Sequence, residues 1–208
     1  MGRSVTVTGY GAASGTYDQG LLRLAAVARA ANPGDATARA TYAMAAMREV
    51  ALRSGIDEAA LSTTTVSLSP VHDPWPTVVA YEATLGLSVK VTELTSIGSL
   101  LVSTVEAGGD GARVDGIEFT HRDSASLQAT ARDAAFANAR AKAEQFAGLA
   151  GQSLGEVRHI TEGAGPVALP RGRMVAMAAD SSGGMPIDAG EGTISAIVTV
   201  TWALGPAV

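Results

Sequence analysis

The stretch from Val79 to Val91, VAYEATLGLSVKV, decides the fold class of this chain. Every odd position in it is apolar, and most even positions are polar or small. Successive side chains of an extended chain point to opposite faces, so this period of two predicts a long β-strand with one buried face. Such clean alternation favours an antiparallel sheet with a solvated face over a parallel sheet that is covered on both faces.

The same alternation marks further strands on either side of this stretch. Near the C-terminus the alternating apolar positions are Ile194, Ala196, Val198, Val200, Trp202 and Leu204. Shorter pieces are expected at residues 5–7, 64–68, 117–119 and 157–161. The chain therefore holds enough strands to build antiparallel sheet on both sides of the deciding stretch.

Three segments between these strands have helical patterns. They cover residues 35–54, 97–105 and 123–150. Asp35 and Asp123 are candidate N-caps, and Gly55 and Gly151 follow the first and third segments as candidate stops. Strands and helices together predict an α+β fold, with three main helices packed on antiparallel sheet in a single domain over residues 1–208.

Residues 21–30, LLRLAAVARA, are ambiguous between helix and strand. Their composition has high helix propensity. The same residues also fit a strand with Leu22, Leu24 and Ala26 facing inward. The pattern alone leaves both interpretations open.

The third predicted helix has two apolar faces rather than one. Its first face carries Ala135, Phe136, Ala139, Ala143, Phe146 and Ala147. Its second carries Leu127, Ala131, Ala134 and Leu149. A helix that lies on a sheet needs a single apolar stripe, so the second face is a candidate interface with another subunit. The alternative is that alanine is tolerated at the surface because its helix propensity is the highest.

Residues 163–192 form a long stretch rich in Gly, Pro, Ser and Ala. Loops of this length are uncommon within a domain and are usually functional, ordered by a partner or disordered. The part around Met174 and Met177 could extend and pair with a sheet edge, including the edge of a neighbouring subunit. These two methionines are therefore also candidate interface residues.

Composition and charge exclude several classes of protein. The 208 residues carry a net charge of −5 without a run of basic residues, which argues against a nucleic-acid partner. The chain has no Cys, so disulfides, thiolate catalysis and Cys-ligated metals are excluded. No apolar stretch is long enough to span a membrane. Because no signal peptide precedes the first strand, the sequence as written predicts a cytoplasmic protein, or a periplasmic or secreted one if a signal peptide was removed.

No motif in the sequence predicts catalysis, a cofactor or a metal. The glycines of residues 9–15 resemble a dinucleotide fingerprint, but the expected second strand falls on a breaker, so a strand-end turn is the preferred interpretation. His72, His121 and His159 lack the spacing of metal ligands. Glu118 and Asp123 lie near His121, but Asp123 is better explained as an N-cap. We therefore expect a protein that is not an enzyme.

The segment His72-Asp73-Pro74-Trp75-Pro76 is the most unusual loop of the chain. An aromatic residue between two prolines at a hairpin tip could bind a small molecule or a peptide, since exposed Trp is often interfacial. His72, Asp73 and Trp75 are the candidate binding residues. The alternative is that Trp75 folds back to cover the sheet.

Taken in order, these segments resemble the SIMPL-domain family, which includes the bacterial YggE-like proteins and a periplasmic immunogenic antigen. The resemblance covers about residues 5–204. The segments that carry it are Val5–Gly11, Ser54–Ile56, Leu61–Thr63, Leu68–Pro70, Tyr81–Ala83, Leu87–Val89, Ala134–Glu144, Ala147–Gly151, Leu154–Gly155, Pro186–Ile187, Gly190 and Val198–Leu204. Two features depart from the family: no signal peptide is visible, and Thr16-Tyr17-Asp18 replaces the usual Pro-Asp before the second strand.

The resemblance implies antiparallel strands with packed helices, and it favours strand for residues 21–30. It implies no established enzymatic activity and offers no catalytic residues. Members of the family are linked to oxidative or envelope stress, and at least one similar protein forms a large ring- or channel-like oligomer. The leading hypothesis is a non-enzymatic, homo-oligomeric SIMPL-domain protein that assembles as a ring or cage and has a stress-related role. The alternative is a binding module that uses the loop from His72 to Trp75.

Overall fold

The computed structural model describes residues 2–163, 185 and 187–207. Its strands are β1 (Ser4–Thr16), β2 (Gln19–Ala30), β3 (Leu61–His72), β4 (Val78–Val91), β5 (Ala112–Thr120), β6 (Gln152–Gly163) and β7 (Glu191–Ala207). Its α-helices are α1 (Pro33–Arg53), α2 (Ile97–Gly108) and α3 (Ser124–Leu149). All strand pairs are antiparallel, in one sheet of order β1-β7-β6 and another of order β3-β4-β2-β5. The α+β prediction is confirmed.

The described residues divide into two compact units. The first comprises residues 2–16, 121–163 and 190–207, with the three-stranded sheet and α3. The second comprises residues 17–120, 185 and 187–189, with the four-stranded sheet, α1 and α2. That residues 1–208 form one domain stays a prediction.

Helix α3 packs against the first sheet through backbone contact. A Cβ atom at Gly9 would lie 2.1 Å from the carbonyl oxygen of Ala135, and one at Gly11 would lie 2.1 Å from that of Ala131. The buried face of α3 has alanine at every fourth position, and these small side chains permit the close approach. They are Ala131, Ala135, Ala139, Ala143 and Ala147. The strand-end turn predicted for residues 9–15 is wrong, because β1 continues to Thr16 and its glycines admit the helix.

The core of the second unit lies between its sheet and its two helices. The largest fully buried side chains there are Leu22, Leu24, Met47, Val89, Val91, Ile97 and Thr104. Residues 21–30 belong to β2, which pairs with β4 on one side and with β5 on the other. Two neighbouring strands satisfy its backbone groups, so tertiary pairing overrides the helix propensity of this segment.

The helix ends follow the sequence signals with one correction. The N-cap of α1 is Asn32 rather than Asp35, because the Asn32 Oδ1 accepts a hydrogen bond of 2.9 Å from the backbone N–H of Asp35. The Asp123 cap of α3 is confirmed, with its Oδ1 3.0 Å from the backbone nitrogen of Ala125. Gly55 and Gly151 follow their helices at φ of +84° and +65°, as a glycine stop requires.

Strand β4 runs from Val78 to Val91 as expected, but its solvated face is not observed around residues 84–88. Thr84, Gly86 and Ser88 are buried together with the odd positions. Gly86 is buried because the Thr64 side chain of the adjacent strand lies over it: a Cβ atom at Gly86 would be 2.4 Å from the Thr64 Oγ1. The strand predicted at residues 157–161 is also longer than expected, covering Gln152–Gly163 as β6.

Candidate functional site: the β3 hairpin surface

Strand β3 forms one edge of the four-stranded sheet, and among the described strands it pairs with β4 alone. Every residue from Ser62 to Pro70 is exposed, although the partner strand is largely buried. An unpaired strand edge presents a row of free N–H and C=O groups, which can pair with another chain. We call residues 62–79, which comprise most of β3, the turn and the start of β4, the β3 hairpin surface.

Two exposed apolar side chains of β3 point to the helix side of the sheet. Val66 pairs with Leu85 and Leu68 pairs with Ala83, and directly paired residues share a face. Ala83 is buried under α1, whereas Val66 and Leu68 are 74% and 48% exposed. The apolar face of the sheet therefore extends beyond the part that α1 covers, and it ends in an uncovered strip on β3.

The middle of β3 is regular and uncharged. A bulge interrupts the pairing at Thr64, and Pro70 removes a backbone donor near the other end. Between them, residues 65–69 pair one to one with β4. Bulges, prolines and charges are the usual means of blocking an edge, and residues 61–72 contain no Asp, Glu, Lys or Arg. These five residues are the part of β3 that is open to strand addition.

The turn of the hairpin holds the three predicted binding residues. Its backbone is closed by hydrogen bonds from the Asp73 N–H to the Thr77 oxygen at 3.1 Å and from the Thr77 N–H to the Pro74 oxygen at 2.8 Å. The rings of His72 and Trp75 have centroids 4.4 Å apart. Trp75 is 78% exposed, so it does not fold back over the sheet. The structure thus brings His72 and Trp75 together and presents the indole to solvent.

The outer edge of β1 is blocked, in contrast to that of β3. The side chain of Asn138 accepts a hydrogen bond of 3.1 Å from the Tyr10 N–H. The Lys142 ammonium donates to the Thr8 carbonyl oxygen at 2.9 Å and lies 4.9 Å from the centre of the Tyr10 ring. Side chains of α3 thus bind the free backbone groups of this edge. Sequence patterns do not show this, because Asn138 and Lys142 read as ordinary surface residues of a helix.

The edge of β6 resembles that of β3. Residues 159–163 pair one to one with β7, after bulges in the first half of the strand. Ile160 pairs with the buried Val200 and is nevertheless 53% exposed. Glu162 on the same face is held by the Arg132 guanidinium at 2.7 Å, which neutralises its charge. The edge of β6 thus resembles that of β3 in having a regular five-residue stretch and an exposed branched apolar side chain on its helix side.

The predicted second face of α3 is not a single surface. Ala131 has no exposed area because it packs on Gly11, and Leu127 packs against the same core. Ala134 is exposed, and Leu149 is 78% exposed. The division of α3 into two apolar faces is corrected here, because its buried stripe follows every fourth residue and includes Ala131. Met174 and Met177 lie outside the described residues.

The residues considered for chemistry have structural partners. Glu118 accepts an ion pair from Arg23 at 2.7 Å, and Asp123 caps α3. The Nδ1 of His121 lies 3.2 Å from the Thr16 carbonyl oxygen, and the Nε2 of His159 lies 2.9 Å from the Thr161 hydroxyl. Among the described residues no cluster of three or more His, Asp or Glu side chains has the arrangement to hold a metal.

Comparison with known proteins identifies relatives over almost the whole chain. The family model of SIMPL, described as a protein of unknown function (DUF541), matches residues 5–202. Two curated relatives are the 26 kDa periplasmic immunogenic proteins of Brucella melitensis biotype 1 and of Brucella abortus strain S19. Each is 29% identical over 216 residues, which covers 95% of this chain and 83% of the relative. None of the described helices has the length and apolarity that a membrane crossing needs.

Proposed function

Because the chain belongs to the SIMPL family, we propose that it is a non-enzymatic protein that assembles into a ring- or cage-like homo-oligomer. In this proposal β3 of one copy pairs with β6 of the next. The observation that carries it is the uncovered, uncharged edge of β3 at residues 65–69. We further propose a periplasmic location, which the names of the two Brucella relatives support, and a role in envelope stress, which the family resemblance supports.

The choice of β3 and β6 follows from a comparison of the four sheet edges. The edge of β1 is bound by Asn138 and Lys142. The edge strand β5 carries the charged residues Arg113, Asp115 and Glu118 within nine residues. Strand β6 also has charged residues, but Glu156 and Arg158 precede its regular stretch, and Glu162 within that stretch is paired with Arg132. The regular stretches of β3 and β6 are both five residues long, so they can form matching ladders.

Pairing between two different edges determines the kind of assembly. A contact of β3 with β3 would be two-fold and would stop at a dimer, whereas a contact of β3 with β6 is head to tail. A head-to-tail contact leaves a free β3 at one end and a free β6 at the other, so copies add until the ring closes.

Apolar burial and ring closure supply the stability of the assembly. Complete burial of a fully exposed side chain of this size contributes about 1.5–3 kcal/mol, and Val66, Leu68 and Ile160 would each contribute less because they are already partly buried. A single contact of this size is weak, because association costs at least about 4 kcal/mol in lost freedom of motion. In a closed ring each copy is held by two contacts, which raises the stability of the whole without new surface.

The absence of Cys from the chain allows a direct test by disulfide cross-linking. Ser67→Cys and Thr161→Cys proteins are prepared separately and then mixed under mild oxidation. We expect cross-linked dimers that contain one copy of each variant, since paired strands bring Cα atoms within disulfide range. Thr6→Cys mixed with Thr161→Cys is the control and should stay uncross-linked. If Ser67→Cys cross-links only with itself, the contact is a two-fold dimer of β3 with β3, and the ring is contradicted. The absence of any cross-link would contradict assembly through β3.

The second candidate function is a binding module at the turn of the hairpin. It is favoured by the 78% exposure of Trp75 beside the His72 ring. Trp202 is 3% exposed and reports on the core, so a change in Trp fluorescence that disappears in Trp75→Phe would locate a ligand at the turn. Small molecules and short peptides should be screened in this way, and a signal that persists in Trp75→Phe would reject this candidate.

A further inference from the structure

A cleft of about 570 Å³ opens in the second unit, away from the β3 hairpin surface. It is bounded by the end of β2, by α1 and by the turn at Gly109–Gly111 that precedes β5. Its volume lies within the range of pockets that bind small ligands. We call it the β2–α1 cleft.

One wall of the cleft is a short unpaired strand edge. Strand β5 pairs with β2 only as far as Ala26, but β2 continues to Ala30. The Val27 carbonyl oxygen faces this side, since a Cβ at Gly111 would lie 3.1 Å from it. Backbone groups alternate along a strand, so the N–H and C=O of Arg29 point to the same side, where no described strand pairs with them.

Small residues keep the space beside this edge open. The lining residues with little or no side chain are Ala28, Ala38, Ala43, Gly108 and Gly111. They leave a slot between the strand and the helix in which an extended backbone can approach β2. Strand addition at such an edge, beside a helix, is a recurring mode of peptide binding.

One charged side chain of the cleft, that of Arg39, can bind an anionic group. Arg39 is exposed and forms no ion pair within the described part of the chain, whereas Arg29 is held by Glu82 at 2.6 Å. Among the described residues Arg39 is therefore the lining cation without an ion pair, and Asp110 is the one acidic residue of the lining. A guanidinium can bind both oxygens of a carboxylate. Tyr42 lies almost one helical turn further on and is 79% exposed, which offers an aromatic surface next to Arg39.

We propose that the β2–α1 cleft binds the C-terminal end of an extended peptide. The peptide backbone pairs with the free N–H and C=O of Arg29, and its terminal carboxylate binds the guanidinium of Arg39. Small side chains such as those of Ala, Val and Ser fit the lining of alanine and glycine. This site is independent of the proposed assembly, because it uses none of the residues of β3 or β6.

The proposal can be tested with a defined pool of peptides. The probe is a set of fluorescein-labelled pentapeptides whose last three positions are Ala, Val or Ser, prepared with a free and with an amidated C-terminus. We expect saturable anisotropy with the free carboxylate pool. The amidated pool should bind at least about tenfold more weakly, because it lacks the carboxylate that the Arg39 guanidinium binds; a tenfold change in Kd corresponds to about 1.4 kcal/mol. No saturation up to about 1 mM, or equal binding of the two pools, would overturn the proposal.

Matched variants on α1 locate the binding. Arg39→Gln should weaken the free pool about tenfold or more, because charge-assisted hydrogen bonds to a carboxylate are lost. Ala38→Glu, which places a negative charge in the lining, should abolish binding. Ala45→Glu and Arg53→Gln are exposed changes on the same helix outside the cleft and should leave the affinity unchanged. Equal affinities of Ala38→Glu and Ala45→Glu would place the peptide elsewhere and contradict the proposal.

Discussion

At the scale of single residues, the first unit depends on the absence of side-chain atoms at two glycines. Gly9 and Gly11 lie under α3, where any Cβ would overlap a helix carbonyl oxygen. The opposing residues are alanines, so the strand and helix backbones approach more closely than larger side chains would permit. Close packing of small residues gives many van der Waals contacts at little cost in side-chain entropy.

Replacement of Gly11 by Ala should destabilise the protein severely. The new Cβ would lie 2.1 Å from the Ala131 carbonyl oxygen, which is backbone and cannot rotate away. We expect a loss of about 2 kcal/mol or more in the free energy of unfolding, measured by urea denaturation. Gly148→Ala is the control, since nothing lies within 4 Å of its added Cβ, and it should stabilise α3 by about 0.5–1 kcal/mol. Equal effects of the two substitutions would show that the helix does not rest on β1 as described.

Loss of the Asn32 side chain should weaken the start of α1. Its Oδ1 accepts the backbone N–H of Asp35 at 2.9 Å, and removal of such a cap costs about 1 kcal/mol. Asn32→Ala should therefore lower the urea midpoint, and Asn32→Ser should recover most of the loss because serine caps helices equally well. A larger loss for Asp35→Ala than for Asn32→Ala would restore Asp35 as the cap.

At the scale of elements, the two sheets differ in how their edges are protected. Helix α3 binds the edge of β1 through Asn138 and Lys142, whereas no helix of the described chain binds the edge of β3. Edge protection usually prevents unwanted pairing between copies. An edge left open within a protected fold is therefore a candidate interface.

Removal of the protection on β1 should create a new site of association. In Asn138→Ala/Lys142→Ala the Tyr10 N–H and the Thr8 carbonyl lose their partners. We expect slow formation of species larger than those of the wild-type protein, and size-exclusion chromatography over several days would measure this growth. Arg140→Ala/Glu144→Ala removes another polar pair of the same helix and should show no such growth. Growth in both double variants would show that removing any polar pair of side chains from α3 promotes association, and that the edge of β1 is not the cause.

The elements that the sequence predicted correctly are those with complete local signals. β4 has a clear period of two, and α1 and α3 have a polar cap and a glycine stop. The composition of residues 21–30 does not distinguish strand from helix, because pairing with two distant strands determines the conformation of β2. The family resemblance favoured strand for this segment, and the structure confirms it. The predicted strand at the N-terminus is too short because glycines usually indicate a turn. Only the structure shows that Gly9 and Gly11 are small in order to let α3 approach the strand.

The candidate site was predictable only in part. The sequence leaves open whether Trp75 is exposed or folds back over the sheet, and the structure shows it exposed. The open edge of β3 was not predicted. Strand order decides which strand is an edge, and that order depends on contacts between distant segments. The assignment of Ala131 to an outer face also failed, because the buried stripe follows a spacing of four residues.

At the scale of the whole molecule, the proposed assembly uses one edge from each sheet. A head-to-tail contact of this kind makes every copy equivalent and leaves no free edge of β3 or β6 once the ring closes. The proposed assembly is held mainly by backbone pairing and apolar contact, because residues 65–69 carry no charge and Glu162 of β6 is already paired with Arg132. Its mass should therefore change little between low and high salt, since screening acts on charged contacts.

The most direct test is the absolute mass in solution, measured by light scattering behind a sizing column at two protein concentrations. The chain has a mass of 20.9 kDa, and we expect a single species of several times that mass at both concentrations. Val66→Lys places a charge on the open edge of β3 and should give a monomer. Val114→Lys makes the same substitution at a half-exposed position of the edge strand β5 and should keep the assembly. A wild-type protein of 20.9 kDa at both concentrations, or an assembly that survives Val66→Lys, would contradict the proposal.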